Sequence, residues 1–187
     1  MSKVRMEEQE LAERCKRGDR AAYQELYVQY AGRLLSICLR YIGDKDTAED
    51  LLHDSFLKLF ASFDKFTWRG TGSLRAWMER VVINIVLQYL RRNDVMNQTA
   101  VLDNTADVYD EPDSSIIDMI PQDVLMQFVR ELPTGYRTVL NLYVFEEKSH
   151  KEIASLLGIN EKSSASQLTR AKASLATKIR NWMKRHV

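Results

Sequence analysis

An all-α fold in two small helical domains is predicted by three features of the sequence. Apolar residues recur at three- and four-residue steps along nearly the whole chain, with only three prolines and no run that alternates as a strand would. An acidic stretch, 94–123, holds eight Asp and Glu and no Lys or Arg, and it separates two segments that each end in basic helices. From Lys148 to Val187 there are nine Lys and Arg against two acids, a surplus of seven positive charges in a 187-residue chain whose formal net charge is only +1. A basic piece concealed in a neutral chain points to nucleic acid as partner.

The domains read as 1–93, a flexible acidic linker at 94–123, and 124–187, each flank within the size that folds alone. The first segment opens with a helix pair, about Glu7 to Arg17 and Ala21 to Tyr41. The second of these carries Tyr23, Leu26, Tyr27, Tyr30, Leu34 and Ile37 at helical spacing, a core stripe. Gly43-Asp44-Lys45-Asp46 is a turn with capping residues ahead of a helix from Thr47 to Phe60. Its apolar stripe is Leu51, Leu52, Phe56, Leu59 and Phe60. Glu49, Asp50, His53 and Asp54 cluster on the other side, where like charges at four-residue spacing cost roughly 0.2–0.5 kcal/mol unless a basic partner covers them.

Aromatic, basic and glycine residues mix in Phe63 to Ser73, a composition that can stack on and hold unpaired bases. Gly70-x-Gly72 is no phosphate loop: no strand precedes it and no Gly-Lys-Ser/Thr ending follows. Ser73 is the expected N-cap of the next helix, which turns Leu74, Trp77, Met78, Val81, Val82, Ile85 and Leu90 to a core. On another face Arg80, Asn84, Gln88 and Arg91 follow at near four-residue steps, side chains suited to phosphates and base edges.

In the linker, Pro112, Pro121 and many Asp, Asn, Ser and Thr argue for extended chain. Stretched out, its length is on the order of 100 Å. Beyond it a helix is expected over Leu125 to Leu132, then Pro133-Thr134-Gly135, then a helix bearing Val139, Leu140, Leu142, Tyr143 and Phe145. Ser149 and Glu152 form a capping box, and Ala154, Gly158 and Ile159 stand where a helix-turn-helix needs a small residue, a turn and a plug. The following helix, from Glu161 or Lys162, is expected to bury Leu168, Ala171, Leu175 and Ile179. It would expose Lys162, Ser163, Ser166, Gln167 and Arg170, the residues such a helix lays in the major groove.

The densely charged N-terminus has no apolar core before a cleavage site, and the longest uncharged apolar stretches, Val81 to Leu90 and Thr138 to Phe145, are too short to span a membrane. A cytoplasmic location is the expectation. Isolated Cys15 and Cys38 read as reduced helix residues, and the sequence has no metal cluster, nucleophile constellation or phosphate loop, so no cofactor, metal or catalysis is expected. A free-standing helix-turn-helix regulator is the alternative.

Ala48 to Phe60, Leu74-Arg75-Ala76-Trp77-Met78 through Asn84 to Arg91-Arg92, and Leu132-Pro133 through Ser166-Gln167-Leu168-Thr169-Arg170-Ala171 resemble the extracytoplasmic-function class of bacterial RNA polymerase sigma factors, in order and spacing, over about Ala21 to Ile179. The resemblance implies a region 2-like domain that binds core RNA polymerase, β and β′ subunits, through Glu49, Asp50, His53 and Asp54. It implies −10 promoter contacts from Phe66, Trp68, Arg69, Trp77, Arg80, Asn84, Gln88 and Arg91. A region 4-like domain would read the −35 DNA through Lys162, Ser163, Ser166, Gln167, Arg170 and Lys172. The linker would thread through the polymerase, and an anti-sigma factor would be a further partner. The chain departs from the class at His53, where Gln is usual, at Glu147-Lys148, where Gly and an aromatic are usual, and at Lys162-Ser163-Ser164-Ala165 in the recognition helix.

Overall fold

The computed structural model describes residues 7–93, 117 and 119–186. The described elements are all helical: α1 Glu8–Lys16, α2 Arg20–Ile42, α3 Lys45–Phe60, a 3-10 turn Phe63–Lys65, α4 Ser73–Arg92, α5 Gln122–Arg130, α6 Thr134–Val144, α7 His150–Leu157 and α8 Glu161–His186. Of the expected linker, 94–116 and 118 lie outside the described residues. Its end is shorter than expected, because α5 already starts at Gln122 behind Pro121, whose fixed φ suits a helix entrance.

Two compact units emerge. The first takes the described residues of Met1–Leu39 and Asp44–Val86, the second those of Arg40–Gly43 and Leu87–Val187. The division falls inside α4, between Val86 and Leu87.

In the first unit Asp19 starts α2 by accepting from the Ala21 N–H at 2.9 Å, and its other oxygen holds Arg14 at 2.7 Å. Asp44 caps α3 through the Thr47 N–H at 2.9 Å, which moves the helix start to Lys45. The core gathers Leu11, Leu26, Leu34, Leu51, Phe56, Leu59 and Phe63 with the free, buried Cys15 and Cys38. Burial pushes both thiols up to about 12, so they are inert packing groups. Tyr23 stacks on Phe60 with centroids 4.3 Å apart, whereas Tyr27, expected in the core, is 39% exposed and lies over Phe56. In α4 the buried set is Leu74, Met78, Val82, Ile83, Val86, Leu87 and Leu90, while Val81 and Ile85 are half-buried. The apolar residues of this helix cover more than one stripe, and the face centred on Val82 and Val86 takes the core.

The cap expected at Ser73 is not there. Ser73 is the first residue of α4, and its Oγ instead accepts from the Arg69 N–H at 3.2 Å. The carboxylate of Glu8, on α1, closes the helix start: Oε2 accepts from the Gly72 N–H at 2.5 Å and Oε1 from those of Leu74 and Arg75 at 3.0 and 3.1 Å.

In the second unit the capping box forms as expected, the Ser149 hydroxyl accepting from the Glu152 N–H while the Glu152 carboxylate accepts from the Ser149 N–H at 2.9 Å. Gly158 turns with φ 70°, the left-handed conformation that glycine enters without penalty. Asn160 then starts α8 by accepting from the Ser163 N–H at 2.7 Å. Ile153, Ala154, Leu157, Leu168, Ala171 and Ile179 bury the faces of α7 and α8; Leu175 is only half-buried, and Ala176 is buried beside it. Arg137 is buried at the end of α5, donating to the carbonyl oxygens of Arg130 and Leu132 at 2.5 and 3.1 Å, and burial pulls its pKa down to about 10.

Candidate nucleic-acid interface

Three surfaces carry the residues singled out in the sequence. On α3, Asp50, His53 and Asp54 are exposed, and Glu49 is half-buried with Lys45 3.6 Å from its carboxylate. At about 100° per residue, Asp50, His53, Asp54 and Leu57 share one narrow face. Leu57 is 68% exposed, so the face is acidic with an apolar centre. Leu57 was missed in the sequence, although its step of three from Asp54 placed it there.

The second surface is the segment 66–73 with the α4 face behind it. Phe63, Phe66 and Trp77 make a ring cluster, Phe63 meeting Trp77 edge-on at 5.0 Å and Phe66 meeting it at 5.2 Å. Phe66 is 5% exposed, so its ring supports the loop from beneath and offers no face to a base. Trp68 and Trp77 are half-buried and Arg69 is exposed, which leaves one aromatic body and one cation at the loop surface and a second indole at its base. Gly70 and Gly72 hold φ values of 109° and 87°. Arg80, Asn84, Gln88 and Arg91 are all exposed, as the four-residue steps predict, and form a continuous polar row.

The third surface is an open groove of about 630 Å³ in the second unit, lined by Tyr136, Asn160, Glu161, Lys162, Ser163, Ser166, Gln167 and Arg170. Lys162 and Ser166 are exposed, and Ser163, Arg170 and Lys172 are half-buried. Gln167 departs from expectation: it is 8% exposed, and its Oε1 has no hydrogen-bond partner within the protein. Position 167 lies next to the apolar seam at Leu168 and Ala171, which draws the side chain inward. Tyr136, at the start of α6, completes the groove from another helix and was not foreseen, since nothing local ties it to α8. His150 ties α7 to α8: its Nδ1 lies 2.9 Å from the buried Ser164 hydroxyl, and its ring stacks on Tyr143 at 5.0 Å.

These surfaces fall within two matched sequence profiles, Sigma-70 region 2 over residues 26–95 and Sigma-70 region 4 over residues 122–175. The RNA polymerase sigma-H factor of Pseudomonas aeruginosa is 26% identical over 179 residues, covering 90% of this chain and 92% of the relative. The RNA polymerase sigma factor YlaC of Bacillus subtilis is 29% identical over 159 residues, covering 83% and 91%. The ECF RNA polymerase sigma-E factor of Haemophilus influenzae is 26% identical over 187 residues, covering 94% and 97%. With both regions matched in order, and with relatives of the same length aligned nearly end to end, this chain belongs to the extracytoplasmic-function class of RNA polymerase sigma factors.

Proposed function

We propose that the three surfaces divide the work of promoter-directed initiation. The α3 face of Asp50, His53, Asp54 and Leu57, with Glu49 at its edge, docks on the β′ clamp of core RNA polymerase. On α3, Glu49 has Lys45 and Asp54 has Lys58 one turn away, but Asp50 has no Lys or Arg within a turn, and a basic partner removes the repulsion between Asp50 and Asp54. Trp68, Arg69 and Trp77 hold unpaired bases of the −10 element, Phe66 supporting them from below, and Arg80, Asn84, Gln88 and Arg91 grip the adjoining duplex or its phosphates. The first turns of α8 read the −35 element: Lys162, Arg170 and Lys172 supply charge, and Ser163, Ser166 and Gln167 supply hydrogen-bonding edges.

The observation that carries the reading is the groove at the start of α8. A capping box, a left-handed turn at Gly158 and a capped second helix place a basic, hydrogen-bonding row beside an open surface, the arrangement by which a helix-turn-helix enters the major groove. The protein is an initiation factor and not a catalyst in this reading; phosphodiester chemistry stays with the polymerase. The place of action is the cytoplasm, in keeping with the absence, among the described residues, of any helix long and apolar enough to cross a membrane. An anti-sigma factor covering the same faces belongs to the reading through the class.

Run-off transcription tests it. Purified core polymerase from the source organism is given sheared genomic DNA with and without this protein, and new 5′ ends are mapped. New starts preceded by two motifs at fixed spacing support the reading. Specific duplex binding by the protein alone, with no new starts, would move it to an ordinary helix-turn-helix regulator.

A further inference from the structure

We propose that Glu8 is a positioning residue for promoter melting, acting through the loop that carries Trp68 and Arg69; this rests on the melting role proposed above for that loop. The start of α4 presents N–H groups that no earlier turn of helix can satisfy. Ser73, the local side chain suited to them, is engaged elsewhere, its Oγ accepting from the Arg69 N–H. A single carboxylate, 64 to 67 residues away in sequence, takes the N–H groups of Gly72, Leu74 and Arg75 together.

Apart from the buried Phe66 at its start and the bonds of Ser73 to Arg69 and Gly70, the loop has little else to define it. Gly70 and Gly72 both sit at positive φ, and a Cβ built on either would meet nothing within 4 Å, so neither is packed on its Cβ side. Two glycines in open space leave the segment many conformations, and the ordering of one of them depends on an outside anchor. Glu8 is a firm anchor because α1 is itself fixed: Leu11, Ala12 and Cys15 are buried, and Arg14 is tied to Asp19 at its far end. The carboxylate also carries the charge favoured at a helix N-terminus. One contact therefore connects three features: the buried α1 platform, the glycine loop, and the Trp77 helix behind it. Loss of that contact frees the loop without opening the core.

The test compares Glu8→Ala, Glu8→Gln and Trp68→Ala in holoenzyme assembled with core polymerase, on a promoter mapped by the run-off experiment. Open-complex formation is read by permanganate footprinting, and core affinity by competition. Positioning predicts that Glu8→Ala lowers open-complex formation about tenfold. Core affinity stays unchanged, and Glu8→Gln, which keeps a carbonyl acceptor but not the charge, recovers part of the loss. Combined with Trp68→Ala, Glu8→Ala should add nothing further, because both act through one loop. Equal losses in core affinity and melting would mark Glu8 as a general folding residue and overturn the proposal; Glu8→Gln makes the same distinction should the alanine variant fail to fold. A silent Glu8→Ala beside a defective Trp68→Ala overturns the Glu8 role alone. A silent Trp68→Ala overturns the melting role of the loop, and the Glu8 role with it.

Discussion

The imidazole of His150, first residue of α7, lies 2.9 Å from the hydroxyl of Ser164 in the opening turn of α8. Ser164 is fully buried, so this side-chain bond joins the first helix of the helix-turn-helix to the second from inside. His150→Ala leaves that hydroxyl unpaired and should destabilise the second unit by about 1–2 kcal/mol. Ser164→Ala made in the same background should recover part of the loss, because the orphaned hydroxyl is gone. Urea denaturation of the two single variants and the double variant reads the coupling; strict additivity would show that the bond contributes nothing.

Glu147 is the one non-glycine residue at positive φ among those described, at 51°, in the turn before the capping box. A left-handed backbone costs a residue with a Cβ roughly 1–2 kcal/mol, offset in glycine by its greater chain entropy. Glu147→Gly is therefore expected to stabilise the protein by up to about 1 kcal/mol. The same exchange at neighbouring Lys148 should give no gain. Thermal or chemical denaturation of both variants decides the matter.

Arg137 closes the end of α5 with a fork of bonds to the Arg130 and Leu132 carbonyls and to the Thr134 hydroxyl at 3.3 Å. Its pKa, pulled down to about 10 by burial, keeps it a cation at neutral pH. Arg137→Lys preserves the charge but cannot reproduce the fork, and a loss of about 1–3 kcal/mol is expected in urea denaturation. Wild-type stability in the lysine variant would show that charge alone matters.

Two carboxylates set an acid limit on the second unit. The Ser149 N–H and hydroxyl hold the Glu152 carboxyl below its ordinary 4.5, and Lys178, at 2.6 Å, with Gln127 does the same for Glu131. Their folded pKa values lie below the unfolded ones, so their contribution is complete above about pH 4.5 and is lost as pH falls through the lower folded values. The difference in melting midpoint between wild type and Glu131→Gln/Glu152→Gln should shrink between about pH 5 and about pH 2. A constant difference over that span would refute the assignment.

Arg170 and Gln167 should fail in different ways. Arg170→Ala is expected to weaken −35 binding on all sequences and to reduce the salt slope by about 1, as loss of one phosphate contact does. Gln167→Ala should leave the slope alone and relax preference at one base pair by at most about 1 kcal/mol, because its buried Oε1 rules out a two-bond contact to a base. Fluorescence anisotropy of holoenzyme on −35 duplex variants at several salt concentrations separates them. An altered slope for Gln167→Ala would place that side chain on the backbone instead.

The helices and the helix-turn-helix were legible in the sequence because their signals are local. Ser149 and Glu152 are three residues apart, and Gly158 announces its own turn. The exposed row Arg80, Asn84, Gln88 and Arg91 follows from spacing alone. What could not be read are the contacts made by distant chain. Ser73 has the chemistry of a cap, yet Glu8 takes the position from another helix. Phe66 has the chemistry of a stacking platform, yet Phe63 and Trp77 enclose it. Gln167 has the polarity of a surface residue, yet the seam at Leu168 and Ala171 carries it inside. In each case the residue type predicts an ability, and the tertiary neighbours decide whether it is used.

The placement of the tryptophans has an optical consequence. Trp68 and Trp77 sit at the loop and its base in the first unit, while Trp182, in the last turns of α8, stacks on His186 at 4.3 Å in the second. These are the only three indoles in the chain. The emission of the protein is thus a sum of one signal from each unit, and phenylalanine at 68 and 77 leaves a single lamp that reports the C-terminal unit alone.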